Sequence, residues 1–346
     1  AGLFIGAPIL SKRAMRATPP AEWSPHKALW VGFPSHADLW NDDLAPARAE
    51  VAALARVLAE QGGERVRLMA CGEAGCAAAK ALTAGVEGVE IVSGRFGDVW
   101  LRDTSPIFLG PTEAAAFRFN GWGGKYLLEG DEAVADQIAE TAGARLRRCD
   151  FVLEGGSVDF DGEGTALTTR ECLLNPNRNR AWTEASAEAA LREALGVKKV
   201  IWLDKGLLND HTDGHVDNIA RFVAPGVVAA PISVGADDPN ANIYDAAART
   251  LAGETDASGR ALRVVRIPSP GRVIGEEGLA APASHMNFVV ANRAVVAPLY
   301  KTGWAADMAL QGLRAAFPGR AVVGLPSTAL LTGGGSFHCI TREEPA

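Results

Sequence analysis

Apolar residues recur with helical spacing in six stretches of the chain, most of them rich in alanine and most followed by glycine. Apolar positions three and four residues apart predict an amphipathic α-helix, and glycine just after the last of them is a common helix end. The predicted helices cover residues 43–61, 73–82, 131–142, 183–195, 242–251 and 304–317.

Short runs rich in valine, isoleucine and leucine lie between these helices and predict strands. They cover residues 28–33, 65–70, 90–92, 115–119, 199–203, 227–230, 263–267 and 321–325. Two hairpins add to them, one over 157–168 with its turn at Asp161-Gly162 and one over 288–297 with its turn near Asn292. Strand and helix alternate along the whole chain, which indicates the α/β class.

The last four predicted helices begin at intervals of about 50 to 60 residues, a period that is typical of repeated modules. No repeated motif accompanies the period, so ordinary α/β alternation without repeats explains it equally well. With 346 residues, 48% of them hydrophobic, the chain can form two domains or one large closed architecture. Because no linker or change in composition divides it, we predict a single domain over 19–346, after an N-terminal extension over 1–18 that is partly disordered or vector-derived.

Charge and cysteine usage exclude several classes of protein. The formal net charge of -7, from 34 basic and 41 acidic residues, lacks the basic excess of a nucleic-acid-binding protein. No apolar run reaches the length of a membrane span. Five cysteines at irregular spacing argue against a disulfide framework, so a reducing, cytoplasmic setting is expected. We interpret four of them as small buried hydrophobes: Cys71, Cys76, Cys149 and Cys172.

The segments that carry candidate chemistry lie between the predicted elements, where charged or nucleophilic side chains stand near glycine or at strand ends. Loops held by a rigid scaffold concentrate binding and catalytic groups, and glycine lets the backbone approach a ligand closely. Any one segment is weak evidence, because glycine pairs also occur in ordinary turns. The segments are residues 100–103, 121–124, 154–156, 215–218 and 333–339.

Metal and nucleotide chemistry both fit these segments poorly. His211 and His215 have the spacing of helical zinc ligands, with His338 and Cys339 as further candidates. Gly214 would interrupt such a helix, however, and no glutamate occupies the general-base position. The glycine-rich segments lack the Lys-Ser/Thr ending of a phosphate loop and the glycine spacing of a dinucleotide fold. We therefore expect neither a metal nor an organic cofactor.

Nucleophilic catalysis by Cys339 explains the segments together. His215 can shuttle protons near neutral pH, and Glu154 can orient its imidazole. Asp103 and Asp217 can accept forked hydrogen bonds from a planar cation, and a guanidinium group meets that demand.

Two tryptophans and an arginine accompany these groups. The rings of Trp100 and Trp122 can stack on a delocalised cation, although core packing explains them equally well. Arg102, beside Asp103, can belong to a structural ion-pair network. If this segment is a strand, its neighbouring side chains point to opposite faces, and only one of the two enters a pocket.

Six segments resemble the agmatine deiminase family, in the order which that family shows. Coverage extends from about residue 19 to the C-terminus, and ordered matches are more specific than any single motif. The family includes peptidylarginine deiminase-type proteins and belongs to the guanidine-modifying superfamily. The resemblance therefore implies a pentein-type fold, a five-bladed α/β propeller of ββαβ modules. The segments are residues 20–26 (PAEWSPH), 100–104 (WLRDT), 119–126 (FNGWGGKY), 154–157 (EGGS), 214–218 (GHVDN) and 333–341 (GGGSFHCIT).

The resemblance assigns a role to each matching residue. Cys339 corresponds to the nucleophile that forms an amidino-thioether, His215 to the general acid and base, and Glu154 to its carboxylate partner. The substrate-binding positions are Asp103, Asp217, Trp100, Trp122 and Asn287. The chain departs from the family pattern at His285, Ser336 and residues 342–344, which puts specificity for the far end of the substrate in doubt.

The expected reaction is hydrolysis of agmatine, a small cationic guanidinium compound, to N-carbamoylputrescine and ammonia. Deimination of arginine residues in peptides is the alternative within the enzyme class, and a non-catalytic guanidinium-binding protein is the alternative outside it. Lys125 and Arg118 lie close to the glycine turn at 121–124 in the sequence. Either one can bind a substrate carboxylate, so an arginine substrate stays an alternative. No nucleic-acid or membrane partner is expected, and assembly is left open between a homodimer and a homotetramer.

Overall fold

The computed structural model describes residues 17–275 and 278–346, so nearly all of the predicted N-terminal extension lies outside the described residues. Strands in the described part of the chain form five small sheets. Four of the sheets contain an antiparallel hairpin followed, after a helix, by a strand parallel to the second one, which is a ββαβ module. In order, their strands are β4 (Ile107–Gly110), β5 (Glu113–Arg118) and β6 (Arg145–Val152); β7 (Val158–Phe160), β8 (Thr165–Thr169) and β9 (Lys199–Leu203); β10 (Arg221–Ala224), β11 (Val227–Ile232) and β12 (Arg263–Pro268); and β13 (Val289–Val290), β14 (Ala294–Leu299) and β15 (Ala321–Pro326).

The fifth sheet joins the two ends of the described chain. Its strands are β1 (His26–Gly32), β2 (Val66–Cys71), β3 (Val89–Gly94) and β16 (Thr341–Pro345). β1 and β2 are parallel, whereas β16 pairs antiparallel with β1 and places Glu343 opposite Leu29. β16 and β1 thus form the hairpin of one more ββαβ module and close the ring. This module is called the first, because β1 comes first in the order of strands. The pentein-type fold implied by the resemblance is confirmed.

Most helices of the described chain connect strands within a module and pack against the sheets, whereas the helical turns at 101–104 and 328–332 lie between modules. Five of them are single turns, and the longer ones agree with the predicted helices to within three residues at each end. The helices are α1 (Ala37–Trp40), α2 (Leu44–Glu60), α3 (Gly72–Leu82), α4 (Leu101–Thr104), α5 (Gly121–Gly124), α6 (Val134–Ala142), α7 (Arg170–Leu173), α8 (Glu184–Leu195), α9 (Ala241–Ala252), α10 (Trp304–Ala316) and α11 (Thr328–Thr332).

The predicted strands are all present, and the hairpin at Asp161-Gly162 has the expected turn chemistry. Asp161 Oδ1 accepts hydrogen bonds from the backbone N–H groups of Glu163 (2.7 Å) and Thr165 (2.8 Å), and Gly162 has a φ of 79°. Four strands are not predicted by the apolar pattern: β4, β6, β10 and β16. β6 and β16 are rich in charged residues, which is why hydrophobic alternation does not detect them.

The connections between consecutive sheets position the predicted site. Each joins the last strand of one module to the first strand of the next, and each carries at least one candidate residue. From the first module to the fifth, the connections carry Trp100 and Asp103; Glu154; His215 and Asp217; Asn287; and Cys339. Ring closure therefore brings together residues that are far apart in the sequence.

The core of the first module continues into this region. One cluster of buried apolar residues includes Leu54 and Leu58 of α2 and extends to Trp100, Phe337 and Cys339. The site is thus supported by close-packed side chains on one side. Among the described residues, no helix has the length and apolar character needed to cross a membrane.

Candidate active site

A cavity of about 520 Å³ lies over Cys339. Its lining carries four aspartates, and none of the described residues that line it is a lysine or arginine. A cavity with this balance of charge favours a cationic ligand. The lining residues that matter most for the chemistry are Asp42, Asp43, Asp98, Asp103, Trp100, Trp122 and Cys339.

Cys339 is buried, with 7% of its surface exposed. Its Sγ lies 3.2 Å from Asn287 Nδ2 and 4.0 Å from Asp217 Oδ2. Burial raises the pKa of the Cys339 thiol well above its ordinary value, and the negative charges of Asp217 and Asp103 raise it further. Without a bound cation, Cys339 is therefore a neutral thiol.

Asp103 accepts hydrogen bonds from two donors that lie in other segments of the chain. Its Oδ2 accepts a hydrogen bond from Trp122 Nε1 at 2.9 Å, and its Oδ1 accepts one from the backbone N–H of Gly156 at 2.9 Å. Arg102 points away from the cavity and forms ion pairs with Glu22 and Glu343, at 3.2 and 2.7 Å. Arg102 and Asp103 thus have different partners and only Asp103 lines the cavity, as predicted. The prediction assumed a strand, which is wrong, because residues 101–104 form the helical turn α4.

Trp100 belongs to the core and to the cavity wall at once. Its Nε1 donates to Asp98 Oδ2 at 2.8 Å, while Trp40 Nε1 donates to Asp98 Oδ1 at 2.9 Å. The two rings lie 6.1 Å apart between centroids at an angle of 32°. Gly335 packs so closely on Trp100 that a Cβ there would overlap the ring. Residue 335 must therefore be glycine, because the backbone passes too close to the Trp100 ring to leave room for a Cβ.

Trp122 reaches the cavity from a strained turn. Its backbone is left-handed, with φ 52° and ψ 49°, which is uncommon for a non-glycine residue. The Asn120 side chain supports the turn by accepting a hydrogen bond from the backbone N–H of Gly123 at 2.9 Å. This conformation lets the indole N–H hold Asp103, so the strain has a clear role in the site.

Asp217 and Asn287 lie on the other side of the thiol. Asp217 is fully buried, its Oδ2 lies 2.8 Å from His338 Nδ1, and its Oδ1 has no hydrogen-bond partner among the described residues. Burial raises the pKa of Asp217, but His338, His215 and Arg221 together lower it more, so the net pKa lies below the ordinary value. Asn287 accepts a hydrogen bond from the backbone N–H of His338 at 2.9 Å. Asp217 thus offers an ionised, unsatisfied acceptor.

His215 is buried among three groups. Its Nδ1 lies 3.8 Å from Asp103 Oδ1, and a Cβ on Gly156 would lie only 2.5 Å from that nitrogen. Burial lowers the pKa of His215, but Asp103, the Cys172 thiol and Glu154 raise it more, so the net pKa lies well above the ordinary value. We conclude that His215 is an imidazolium in the substrate-free protein.

Glu154 lies close to His215, but its direct partner is an arginine. Its Oε1 accepts a hydrogen bond from Arg178 Nε at 2.6 Å, and its carboxylate lies within 4.8 Å of ligand atoms of both His215 and Cys172. Glu154 thus acts on His215 through its charge rather than through a hydrogen bond that orients the ring. Among the four cysteines interpreted as buried, only Cys172 is buried, whereas Cys71, Cys76 and Cys149 are half-buried.

The candidate zinc ligands do not share the geometry that their spacing implies. His211 and His215 lie in turns rather than on a helix, and the His211 ring stacks on Tyr126 at 5.9 Å. The described residues contain three groups of carboxylate, histidine or cysteine ligands, and every group includes a carboxylate that is already paired with an arginine. A cation would have to compete with those arginines. The groups are Glu154, Cys172 and His215; Glu22, His338 and Glu343; and Asp161, Glu163 and Asp256.

The departures from the family pattern lie outside the cavity lining. His285 Nδ1 binds the carbonyl of Pro268 at 2.8 Å, Ser336 Oγ contacts Ser327 Oγ at 2.7 Å, and residues 342–344 belong to β16. The two cations near the glycine turn are also occupied elsewhere, since Lys125 pairs with Asp213 at 2.5 Å and Arg118 pairs with Asp150. Neither one lines the cavity.

Several functional residues escape the motif analysis. Asp98 has no conspicuous motif around it, but it aligns two tryptophans. Arg178 lies in the segment NPNRN, whose repeated asparagines are a detectable turn signal. Glu22 and His338 lie inside segments that resemble the family, yet only the fold shows that they contact each other.

A five-bladed α/β propeller with a cysteine, a histidine and paired aspartates on its connections defines the class of guanidine-modifying enzymes. Within that class, residues 18–345 match the family described as Porphyromonas-type peptidyl-arginine deiminase. The chain belongs to this family.

Relatives support the assignment along almost the whole chain. Agmatine deiminase from Stutzerimonas stutzeri is 40% identical over 354 residues, with 94% of this chain and 95% of the relative covered. Agmatine deiminase from Pseudomonas aeruginosa is 38% identical, with 98% of each chain covered. The solved structure of Enterococcus faecalis agmatine deiminase, seen catalysing its reaction, matches with a TM-score of 0.90 at 29% identity and covers 95% of this chain and 96% of its own.

Proposed function

We propose that the protein hydrolyses agmatine to N-carbamoylputrescine and ammonia through a covalent amidino intermediate on Cys339. The observation that carries the proposal is the cavity over Cys339, whose lining combines aspartates and tryptophans with no described lysine or arginine. A guanidinium group satisfies Asp103 and Asp217 and stacks on an aromatic wall. The names of the relatives support agmatine as the substrate.

Substrate binding activates the nucleophile. The guanidinium cation offsets the negative charges of Asp103 and Asp217, which raise the pKa of Cys339 in the empty site. The thiol then loses its proton to solvent water, and the thiolate attacks the guanidinium carbon to give a neutral tetrahedral adduct. His215, as an imidazolium, donates a proton to one amino group, and ammonia departs.

Hydrolysis of the intermediate restores the enzyme. The departure of ammonia leaves a positively charged amidino-thioether on Cys339 and a neutral imidazole on His215. His215 removes a proton from water as the water oxygen attacks the amidino carbon, and the carbon–sulfur bond then breaks. The protonated ureido product gives its extra proton to the departing thiolate, which restores the neutral thiol. This chemistry uses only residues of this chain and water.

The far end of the substrate sets specificity. Agmatine ends in an ammonium group, which suits Asp42 and Asp43 in the cavity lining. Free arginine adds a carboxylate, which costs several kcal/mol to desolvate without a cationic partner. Lys125, the nearest candidate partner, is paired with Asp213 at 2.5 Å.

An assay of ammonia release with agmatine, free arginine and an arginine-containing peptide tests the proposal. We expect the highest kcat/KM for agmatine, and Lys125→Ala should leave that ranking unchanged. A kcat/KM for the peptide that equals or exceeds the value for agmatine would instead assign peptidylarginine deimination. Binding of agmatine without ammonia release would assign a guanidinium-binding protein.

The domain organisation, the location and the assembly of the protein are part of the same proposal. We expect one catalytic domain over 19–346, a cytoplasmic location and assembly as a homodimer or homotetramer. Gel filtration with light scattering distinguishes the two assemblies by mass. A monomer would contradict both.

A further inference from the structure

His338 joins two carboxylates, the buried Asp217 and the part-buried Glu22. Its Nδ1 lies 2.8 Å from Asp217 Oδ2, its Nε2 lies 2.8 Å from Glu22 Oε1, and only 2% of its side chain is exposed. An ionised carboxylate only accepts hydrogen bonds, and a neutral imidazole has a single N–H to donate. Both contacts are therefore hydrogen bonds only if both ring nitrogens of His338 carry a proton.

The carboxylate on the far side, Glu22, is held in place by arginines. Arg102 lies 3.2 Å from Glu22 Oε1, and Arg221 pairs with Glu22 Oε2. Burial raises the pKa of Glu22, but Arg221, His338 and Arg102 lower it more, so the net pKa lies well below the ordinary value. Glu22 is thus an ionised, immobile acceptor for the Nε2 proton of His338.

The backbone of His338 is fixed independently of its ring. Its N–H donates to Asn287 Oδ1 at 2.9 Å, and the next residue, Cys339, accepts a hydrogen bond at its carbonyl from the backbone N–H of Arg102 at 3.0 Å. The imidazole is therefore not needed to hold the nucleophile. What the ring does contact is Asp217, whose second oxygen has no partner among the described residues and is free for a substrate.

We propose that His338 is a positioning residue which links Asp217 to the buried Glu22–Arg102–Arg221 cluster and so keeps that carboxylate ionised and oriented beside Cys339. The proposal rests on the function proposed above, because it assumes that Asp217 binds the guanidinium group. It assigns to His338 an effect on substrate binding rather than on the reactivity of the thiol.

Two amide variants separate the two hydrogen bonds. An asparagine at 338 can place its amide nitrogen near the Nδ1 position and donate to Asp217, whereas a glutamine can place its nitrogen near the Nε2 position and donate to Glu22. We expect His338→Gln to lower kcat/KM for agmatine by about 10-fold to 100-fold, mainly through KM, the range for losing a hydrogen bond to a charged group. His338→Asn should lose no more than about 5-fold, a fraction of that effect. Equal losses in the two variants, or no loss in either, would overturn the proposal.

A second readout does not depend on turnover. Agmatine should protect Cys339 from alkylation by iodoacetamide at lower concentrations in the wild type and His338→Asn than in His338→Gln, with little difference in the alkylation rates of the ligand-free proteins. If the wild type released no ammonia from agmatine, the proposed function would fail, while this protection assay would still test the role of His338. Equal protection in all three proteins would contradict that role.

A measurement on the wild type covers the case in which His338→Gln does not fold. Nitrogen-15 chemical shifts of the histidine rings distinguish an imidazolium from a neutral imidazole. We expect both ring nitrogens of His338 to be protonated, because each lies 2.8 Å from a carboxylate oxygen. A neutral ring would overturn the proposal without any variant.

Discussion

At the scale of single residues, the same negative charges hold two groups in their protonated forms. Asp103 raises the pKa of both Cys339 and His215, which favours the thiol and the imidazolium forms. Binding of a cation changes this balance, because its charge favours the thiolate. In the proposed mechanism, Cys339 thus becomes reactive when a substrate is present, and His215 supplies the proton that departing ammonia needs.

The first prediction concerns the nucleophile itself. Cys339→Ser should abolish turnover, because a serine hydroxyl in this acidic, buried site is a far weaker nucleophile than a thiolate. Binding of agmatine should persist, since the aspartates remain. Mass spectrometry of acid-quenched wild-type enzyme should detect an amidino adduct on Cys339. Cys71→Ala, at a half-buried position of the first module, is the control, and full activity in Cys339→Ser would end the mechanism.

The second prediction concerns Asp103, which accepts hydrogen bonds from Trp122 and Gly156. Asp103→Asn should lower kcat/KM by about 30-fold or more, equivalent to about 2 kcal/mol of transition-state stabilisation, since it removes a charged acceptor. Circular dichroism should show an unchanged fold. Asp136→Asn removes an exposed aspartate and should have little effect. Near-normal kinetics in Asp103→Asn would show that Asp103 is structural.

The third prediction follows from the raised pKa of His215. The protonated form predominates below that pKa and disappears as the pH rises through it, so kcat should fall on the alkaline side. Glu154 is one of the charges that raise this pKa, and Glu154→Gln should therefore move the alkaline limb to lower pH. Glu163→Gln, a change at an exposed carboxylate, is the control. An alkaline limb that does not move would refute the assignment of His215 as the acid.

At the scale of elements, the glycine-rich connection before β16 packs closely against the aromatic wall, which is formed by Trp40 and Trp100. A Cβ on Gly333 would lie 2.7 Å from Trp40 Cη2, and one on Gly335 would overlap Trp100. Glycine at these positions is thus explained by packing rather than by a need for unusual backbone angles. The connection carries the nucleophile, so its fit against the wall sets where the thiol lies.

The fourth prediction tests that fit. Gly335→Ala should displace Trp100 or the connection, destabilise the fold by about 1 to 3 kcal/mol and raise KM for agmatine, because overpacking forces neighbouring side chains to move. Gly253→Ala is a suitable control, since its Cβ would have no neighbour closer than 3.6 Å and its φ of -88° suits alanine. The thermal midpoint and KM are the measurements. Unchanged values in Gly335→Ala would show that the contact is not required.

The sequence predicts the elements that have a clear apolar period and misses two charge-rich strands, β6 and β16, and two four-residue strands, β4 and β10. The six longer helices and the two hairpins follow from local pattern. β16 does not, because its Glu344 is charged and is buried against Arg67 and Lys27. A strand with these residues is stable only where other modules provide the counter-charges.

The site shows the same limit. Cys339, His215 and the two aspartates lie in glycine-containing segments that are recognisable one by one, and family resemblance joins them. The roles of Asp98, Arg178 and His338 depend on contacts between separate segments of the chain, over sequence separations as large as the 316 residues between Glu22 and His338. No local pattern encodes such a contact.

At the scale of the whole molecule, closure of the ring explains why the site forms at all. Each connection contributes a group, and none of the modules has the complete set. Parallel pairing within modules and antiparallel pairing of β16 with β1 join the last connection to the first. The nucleophile on the fifth connection is thereby placed against Trp100 and Asp103 on the first.

The last prediction is that truncation after Ile340 destroys both fold and activity. It removes β16, leaves the hydrogen-bonding edge of β1 unpaired and deprives buried Arg102 of Glu343. Removing one partner from a buried ion pair costs about 3 to 5 kcal/mol, a large part of the stability of an ordinary domain, even though Glu22 stays beside Arg102. Removal of Ala346 alone is the control, since it eliminates little more than one backbone hydrogen bond to Pro25. Urea unfolding followed by near-ultraviolet circular dichroism should show that the longer truncation lacks a cooperative transition. A cooperative and active truncated protein would show that the other four modules hold the site without closure.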